Sequence, residues 1–410
     1  MSTPALPRPA ALSTLWVLSF GHCCADMSSS AVTALVPFLV TELHYSGAAV
    51  GTFVLAASIG GALIQPFIGH YGDRTGALWL MPVGLLVAGV GVGVAGLVND
   101  RTFPLFAVAV CSIGVAAYHP EGARWARRAA GSAVASGMSI FSVGGGVGYA
   151  FGPLLVAATV VPFGLRGTPL LMVLPIGAAA AVMVLMRRFG AQAHDDMRAD
   201  RAQTGRAEEW SPFARLVLVN GVQSGVVSGL FTFIPLYLLS RGTSAGTSNL
   251  MSTVMLIAAA GGTLVGGRAA DRIGRRLVLI APLLVLVPLI AAVPSLGFVA
   301  LIPLVVVIGF AMNTNISLVI VLAQEYLPSR VGLAAGVTVG MSVGVGGIVV
   351  LLLGLLYDAG GPHTGGPSAV IYVLAGMPVL AAILASTLPR PAACSPASIW
   401  SRAVREAFGR

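Results

Sequence analysis

The sequence has no lysine, four cysteines and little charge of either sign. Only 9% of its 410 residues are charged and 57% are hydrophobic, with a mean hydropathy of +0.92. A soluble domain is about 25% charged, so this chain cannot cover a water-exposed surface. Scarce charge also excludes a disordered chain and a coiled coil. Four cysteines in 410 residues exclude a disulfide scaffold. Cys23, Cys24 and Cys111 lie in apolar runs, so no disulfide is expected. The net charge of +9 comes from arginines scattered between apolar runs, which is not the clustered basic face of a nucleic-acid binder. Without lysine there is no G-x-x-x-x-G-K-[ST] loop for nucleotide phosphates. What is present is glycine (52) and proline (25), both commoner in membrane-spanning helices than in soluble ones.

About 20 apolar residues cross a bilayer as a helix. That length predicts twelve spans, near 15–40, 48–69, 77–97, 103–122, 133–157, 169–187, 215–239, 249–269, 277–296, 298–322, 332–356 and 367–388. The fold class is therefore an all-α membrane protein, with two six-helix bundles. The domains read as an N-terminal bundle over 1–187, a linker over 188–212, a C-terminal bundle over 213–389 and a tail over 390–410. The linker mixes arginine with Asp195, Asp196, Asp200, Glu208 and Glu209, which predicts a flexible cytoplasmic tether. The tail has the composition of a surface-lying amphipathic helix or of a disordered end. An even number of spans puts both termini on one side. Of the arginines, only Arg101, Arg166 and Arg241 fall in the segments opposite the linker. Both termini are thus expected in the cytoplasm. No cleavable leader is expected before the first span.

The halves repeat each other. Gly69 to Gly76 reads GHYGDRTG, and Gly267 to Arg276 reads GRAADRIGRR, so G-x-x-x-D-R-x-G recurs at an offset of 198. Gly137-Met138-Ser139 recurs as Gly340-Met341-Ser342, and Glu121 is matched by Glu325. Parallel repeats about an axis along the membrane normal are typical of rocking transporters. These motifs resemble the signature loops of the major facilitator superfamily. Gly148 to Pro153 looks like the antiporter motif of its exporters, with Gly148, Gly152 and Pro153 as the matching positions. Tyr118-His119-Pro120-Glu121, Phe141 to Gly145, Ala323 to Gly332, and Gly21-His22 with Asp26-Met27 are similar to the fosmidomycin resistance family. The resemblance implies a twelve-helix transporter for small drug-like molecules, exported in exchange for protons across a bacterial inner membrane. A proton symporter importing a small metabolite is the alternative, because the fold runs in both directions. One departure stands out: Ala107 to Ile113 holds no arginine, so the Arg-assisted proton release of many such exporters cannot be carried over.

Asp26 is the one carboxylate near the middle of a span, and His22 precedes it by one helical turn. Both are expected to carry the coupling proton; static helix–helix bonding is the competing role. His119, before the helix-bending Pro120, is a second proton site, a gate residue or a structural hydrogen bond at the kink. A metal site at His119 and Glu121 is not expected, since the two diverge on a straight helix. Glu121 and Glu325 end spans at matching places and are expected to pair with Arg74 and Arg272, forming a conformational latch. Asp73 and Asp271 are expected to take backbone N–H groups or face a positive helix end. Gln65, Asn220, Gln223, Asn313 and Asn315 are candidates to line the substrate cavity or to bond helices together. No cofactor, nucleic-acid partner or catalytic residue is expected, and the protein reads as a monomer in the bilayer.

Overall fold

The fold is given by a computed structural model, which describes residues 8–44, 53, 56, 60–98, 100, 102–131, 133–203, 207–243, 245–360 and 366–389. The described residues are helix and short connections, without strands. The N-terminal half holds α1 (Arg8–Glu42), α2 (Gln65–Thr75), α3 (Leu80–Val94), α4 (Phe103–Ala129), α5 (Val134–Phe163) and α6 (Val173–Gln203). The C-terminal half holds α7 (Trp210–Ser240), α8 (Ala245–Ile273), α9 (Arg275–Ala292), α10 (Phe298–Asn313), α11 (Ile316–Tyr326), α12 (Val331–Gly360) and α13 (Gly366–Ser386). Among the described residues, eight helical stretches are long and apolar enough to cross a membrane. One of them, Val134–Arg188, contains two of the spans read from the sequence, joined through the 3-10 turn Gly164–Met172. Most of the second span's first half, and the tail from 390, lie outside the described residues.

Two elements differ from the sequence reading. Helix α6 runs unbroken to Gln203, well into the segment read as a flexible tether. The tenth span is broken at Thr314 and Asn315 into α10 and α11. The cause is visible at Asn315. Its fully buried amide donates to the Leu279 carbonyl at 3.2 Å and accepts from Gln223, so a local polar network competes with the helix ladder.

Phe67, Phe106, Ile257 and Val299 are more than two-thirds exposed on the outside of the bundle. In water they would be a liability, but against lipid tails they cost nothing. Within each half, α1 packs along α5, α3 on α4, α7 on α12 and α13, and α8 on α10. Glycines allow this approach: a Cβ at Gly91 would press on the Cys111 backbone at 2.5 Å. At the start of α4 the Asp100 carboxylate accepts from the Thr102 hydroxyl and from the N–H groups of Thr102 and Phe103. These bonds hold the Asp100 carboxyl below its ordinary range.

Between the halves, the described contacts gather at one end, the end carrying the two signature loops. There α2 meets α12 and α5 meets α8. The apolar cores merge at the same end. Ile320, Val321 and Ala335 join the N-terminal cluster around Trp125, and Ala135 joins the C-terminal cluster around Tyr326. The clusters around Val92 and Met255, toward the other end, each stay within one half. The molecule is thus closed at the signature-loop end.

Candidate functional site

The centre of the N-terminal half is a buried three-residue cluster. Asp26 Oδ1 lies 3.0 Å from His119 Nε2, and Asp26 Oδ2 lies 3.3 Å from His22 Nε2. The sequence pairs His22 with Asp26 across one turn of α1; the fold adds His119 from α4. Each imidazole is fixed from behind. His22 Nδ1 is 2.8 Å from the Phe141 carbonyl, and its ring stacks on Phe141 with centroids 4.2 Å apart. His119 Nδ1 is 2.8 Å from the Val115 carbonyl, the acceptor one turn earlier in its own helix.

Those backs decide the protons. A carbonyl oxygen only accepts, so each Nδ1 carries a hydrogen. Each Nε2 then points at a carboxylate oxygen, and an ionised carboxylate has no hydrogen to give. Both contacts are hydrogen bonds only when a proton sits in each gap. With both protons present the cluster carries one net positive charge. Losing one makes it neutral and leaves a lone pair against an oxygen; losing both leaves two such repulsions. The geometry therefore couples proton number to side-chain position. The three ligating atoms also lie within 4.8 Å of one another, close enough to hold one metal ion. The sequence names His119 as a second proton site and pairs it only with Glu121 as a possible metal ligand; its contact with Asp26 is not readable there, because α1 and α4 meet only in the fold.

Helix α5 seals the back of this cluster. Cβ atoms at Gly148 and Gly152 would collide with the Cys23 carbonyl and the Ser30 hydroxyl of α1, so the antiporter-like stretch packs α5 against α1. Pro153 is exposed within α5.

The middle of the C-terminal half holds no charge. A cavity of about 160 Å³ is lined by Asn220, Gln223, Ser224, Ser228, Asn313 and Ser342, with Val227 and Ile316. Amide orientations follow from backbone carbonyls. Asn220 Nδ2 donates to Thr338 at 2.8 Å, and Gln223 Nε2 donates to Met312 at 3.1 Å. The Gln223 Oε1 is buried and accepts no hydrogen bond among the described residues. Two of the expected cavity residues are placed elsewhere. Gln65 sits between α2 and α12, where a Cβ at Gly336 would touch its carbonyl. Asn315 is fully buried behind the cavity, holding Gln223.

At the signature-loop end the two halves clasp each other reciprocally. Asp73 Oδ1 accepts the Gly332 N–H at 2.8 Å, and Oδ2 accepts the Leu333 N–H at 2.7 Å, at the start of α12. Asp271 accepts the N–H groups of Ala135 and Ser136 at 3.3 and 2.9 Å and the Ser136 hydroxyl at 2.7 Å, at the start of α5. Each aspartate thus faces the positive end of a helix from the opposite half. The first glycine of each motif, Gly69 or Gly267, lies where a Cβ would strike the other half's backbone. The last, Gly76 or Gly274, has φ of 67° or 103°, a conformation few side chains tolerate.

The glutamate pairings need correcting. Glu121 pairs with Arg124 at 3.1 Å, one turn along α4, a partner not expected from the sequence. Arg124 also reaches Asp73 at 2.6 Å and the Gly72 carbonyl at 2.8 Å. Glu325 is held by Arg275 and, across the halves, by Arg127 at 3.6 Å; the expected Arg272 is exposed. An i, i+3 spacing could have flagged Arg124. Nothing local marks Arg127, whose partner is 198 positions away.

A two-fold repeated helical bundle with a polar centre, closed at one end by reciprocal loops, defines a membrane transporter rather than an enzyme. The Major Facilitator Superfamily model matches residues 18–350 and 216–399, and the chain belongs to that family. It is 30% identical over 357 residues to the fosmidomycin resistance protein of Escherichia coli (strain K12), covering 84% of this chain and 86% of the relative. It is also 30% identical over 390 residues to the uncharacterized MFS-type transporter YfnC of Bacillus subtilis (strain 168), covering 92% of each. Among solved structures it resembles the transporter FucP in the outward conformation, with a TM-score of 0.69, 14% identity, and coverage of 92% of this chain and 99% of FucP. It also resembles the proton:xylose symporter XylE, with a TM-score of 0.72, 15% identity, and coverage of 93% and 96%.

Proposed function

We propose that the protein is a proton-coupled secondary transporter that exports small antibacterial, drug-like molecules across the bacterial inner membrane by alternating access. The observation that carries this reading is the His22–Asp26–His119 cluster. It is an ionisable group inside the apolar bundle, where such groups are costly without a function, and its contacts change sign with proton number. Protons entering from one side would hold the cluster together, and their loss to the other side would drive it apart. Asn220, Gln223 and Asn313 supply the polar wall for the carried compound, with Asn315 and Gln65 in supporting positions. Asp73, Arg74, Glu121, Asp271, Arg272 and Glu325 belong to a latch on the cytoplasmic face, in which Arg124, Arg127 and Arg275 provide most of the pairing. Both termini face the cytoplasm, following the arginine distribution, and one chain is the working unit.

The likeness to a fosmidomycin resistance protein supports export. The uncharged, amide- and hydroxyl-lined cavity supports a second reading, import of a small polar metabolite with protons. Expression in an exporter-deficient bacterium separates them. Export raises the fosmidomycin concentration that cells tolerate, or that of another small antibacterial. Import sensitises cells to a compound instead. Unchanged susceptibility together with no proton-driven uptake in inverted membrane vesicles would overturn the export reading.

A further inference from the structure

We propose that His22, Asp26 and His119 also form a binding site for one divalent transition-metal cation of the zinc class, which takes the place of the two shared protons. Three features point to it. First, the donors are those that zinc favours: two imidazole nitrogens and one carboxylate, with ligating atoms within 4.8 Å of one another. At metal–ligand bonds of about 2.0–2.1 Å, neighbouring ligands of a tetrahedral ion stand roughly 3.3–3.4 Å apart. His22 Nε2 stands 3.3 Å from Asp26 Oδ2 and His119 Nε2 3.0 Å from Oδ1, so each imidazole is already at ligand-to-ligand distance from one carboxylate oxygen, and a turn of the carboxylate would offer a single oxygen to both.

Second, the outer shell is already built. A metal-bound histidine usually donates its other N–H to a carbonyl or carboxylate, which fixes the ring and the tautomer. Both rings do so here, through Phe141 and Val115 at 2.8 Å each. The lone pair of each Nε2 is left facing Asp26. Third, the charge is matched. Two imidazolium groups and a carboxylate carry one net positive charge, and so do two neutral imidazoles, a carboxylate and a divalent cation. Exchanging two protons for one such ion leaves the interior charge unchanged.

Three protein ligands leave a fourth position for water or another ligand. Asp26 is the most exposed of the three, with 21% of its side chain accessible against 10% for His22 and 8% for His119. Space beside the cluster is kept by Gly145, where a Cβ would stand 2.5 Å from Asp26 Oδ2 and 2.7 Å from the His22 ring. Imidazole and carboxylate together favour zinc, nickel or copper over magnesium or calcium.

The test is direct binding of Zn²⁺ to the purified, untagged full-length protein in detergent, in competition with a chromophoric chelator. The expected result is one Zn²⁺ per chain, with affinity lowered at least about tenfold in His22→Ala, His119→Ala and Asp26→Asn, and unchanged in His44→Ala. Asp26→Asn is nearly isosteric, so monodisperse elution of this variant keeps the comparison valid if an alanine variant misfolds. Co²⁺ serves as a second probe. Its visible d–d bands should appear without a thiolate charge-transfer band. A thiolate band would move the ligands to Cys23 or Cys24 and overturn the proposal, as would sub-stoichiometric Zn²⁺ binding or wild-type affinity in Asp26→Asn. The readout is binding, so it is independent of transport direction and of whether protons drive it.

Discussion

The two halves share a fold and a clasp but differ in the chemistry of their centres. The N-terminal half holds a carboxylate between two histidines, each backed by a carbonyl. The C-terminal half holds amides and hydroxyls around a small cavity, with no ionisable side chain among its lining residues. The difference suggests a division of labour. One half would respond to protons, and the other would hold polar groups without changing charge. The clasp differs in degree instead. Asp73 is buried, with two short N–H bonds and an arginine; Asp271 is half-buried, with longer N–H bonds and a hydroxyl.

The largest effect is expected at the N-terminal centre. Asp26→Asn keeps the shape but cannot ionise: its amide nitrogen donates permanently to one Nε2, and its neutral oxygen no longer draws a proton onto the other. Purified protein in proteoliposomes under an imposed pH gradient should lose concentrative transport altogether. His119→Gln should impair it severely and His22→Gln less so, because the His22 contact to Asp26 is longer, 3.3 Å against 3.0 Å. Concentrative transport by Asp26→Asn at the wild-type rate would remove the division of labour between the halves.

Next in size is the N-terminal clasp. Asp73→Asn removes a charge-assisted bond to Arg124 and weakens two bonds to the start of α12. Those contacts to α12 exist only while the loop end is closed. Their loss should favour opening by about 1–3 kcal/mol, or roughly 5–150-fold in population. Spin-label distances between α2 and α12 should broaden toward longer values, and an unaltered distribution would show that Asp73 does not hold the closed state.

How much of this was legible in the sequence varies by residue. The bundle, the repeat and the Asp-Arg loops were readable, because apolar length and a motif repeated at an offset of 198 need no three-dimensional information. Asp26 and His22 were readable because α1 itself brings them together. His119 joins them only through the packing of α1 on α4, and Arg127 finds Glu325 only through the docking of the halves. The repeated motif points to Arg74 and Arg272, its own arginines, and not to Arg124 and Arg275. In the fold, Arg74 and Arg272 are exposed, while their aspartate neighbours dock on helix starts of the opposite half. The interruption at Asn315 was hidden because the surrounding run is apolar enough to read as one span. Only the buried bonds to Leu279 and Gln223 reveal why it breaks.

A smaller effect is expected in the C-terminal centre. Gln223→Met keeps the side chain's length but removes its Oε1 acceptor from the cavity wall, together with the Nε2 bonds to Met312 and Asn315. One net hydrogen bond is worth about 0.5–1.5 kcal/mol, so KM for the transported compound should rise roughly 2- to 12-fold. The turnover rate and the pH dependence should stay near wild type, since no ionisable group has changed. A shifted pH profile in Gln223→Met would mean that the C-terminal half also takes part in proton coupling.

The smallest effect is expected at Asp271, and it sharpens the contrast between the clasps. Asp271→Asn leaves an oxygen able to accept one of the N–H groups at the start of α5, so only the charge facing the helix end is lost. At a partly exposed helix N-terminus that charge is worth about 0.3–1 kcal/mol, or roughly a 2- to 5-fold change in population. No arginine is left uncompensated, because among the described residues Asp271 accepts from backbone N–H groups and the Ser136 hydroxyl. The same label pair placed across α5 and α8 should therefore move less than its counterpart across α2 and α12 does in Asp73→Asn. Raising the salt concentration should shrink the Asp271 effect further while sparing that of the buried Asp73. Equal displacement in the two variants would mean that the clasps are energetically equivalent, and that burial and the bond to Arg124 add nothing to the N-terminal one.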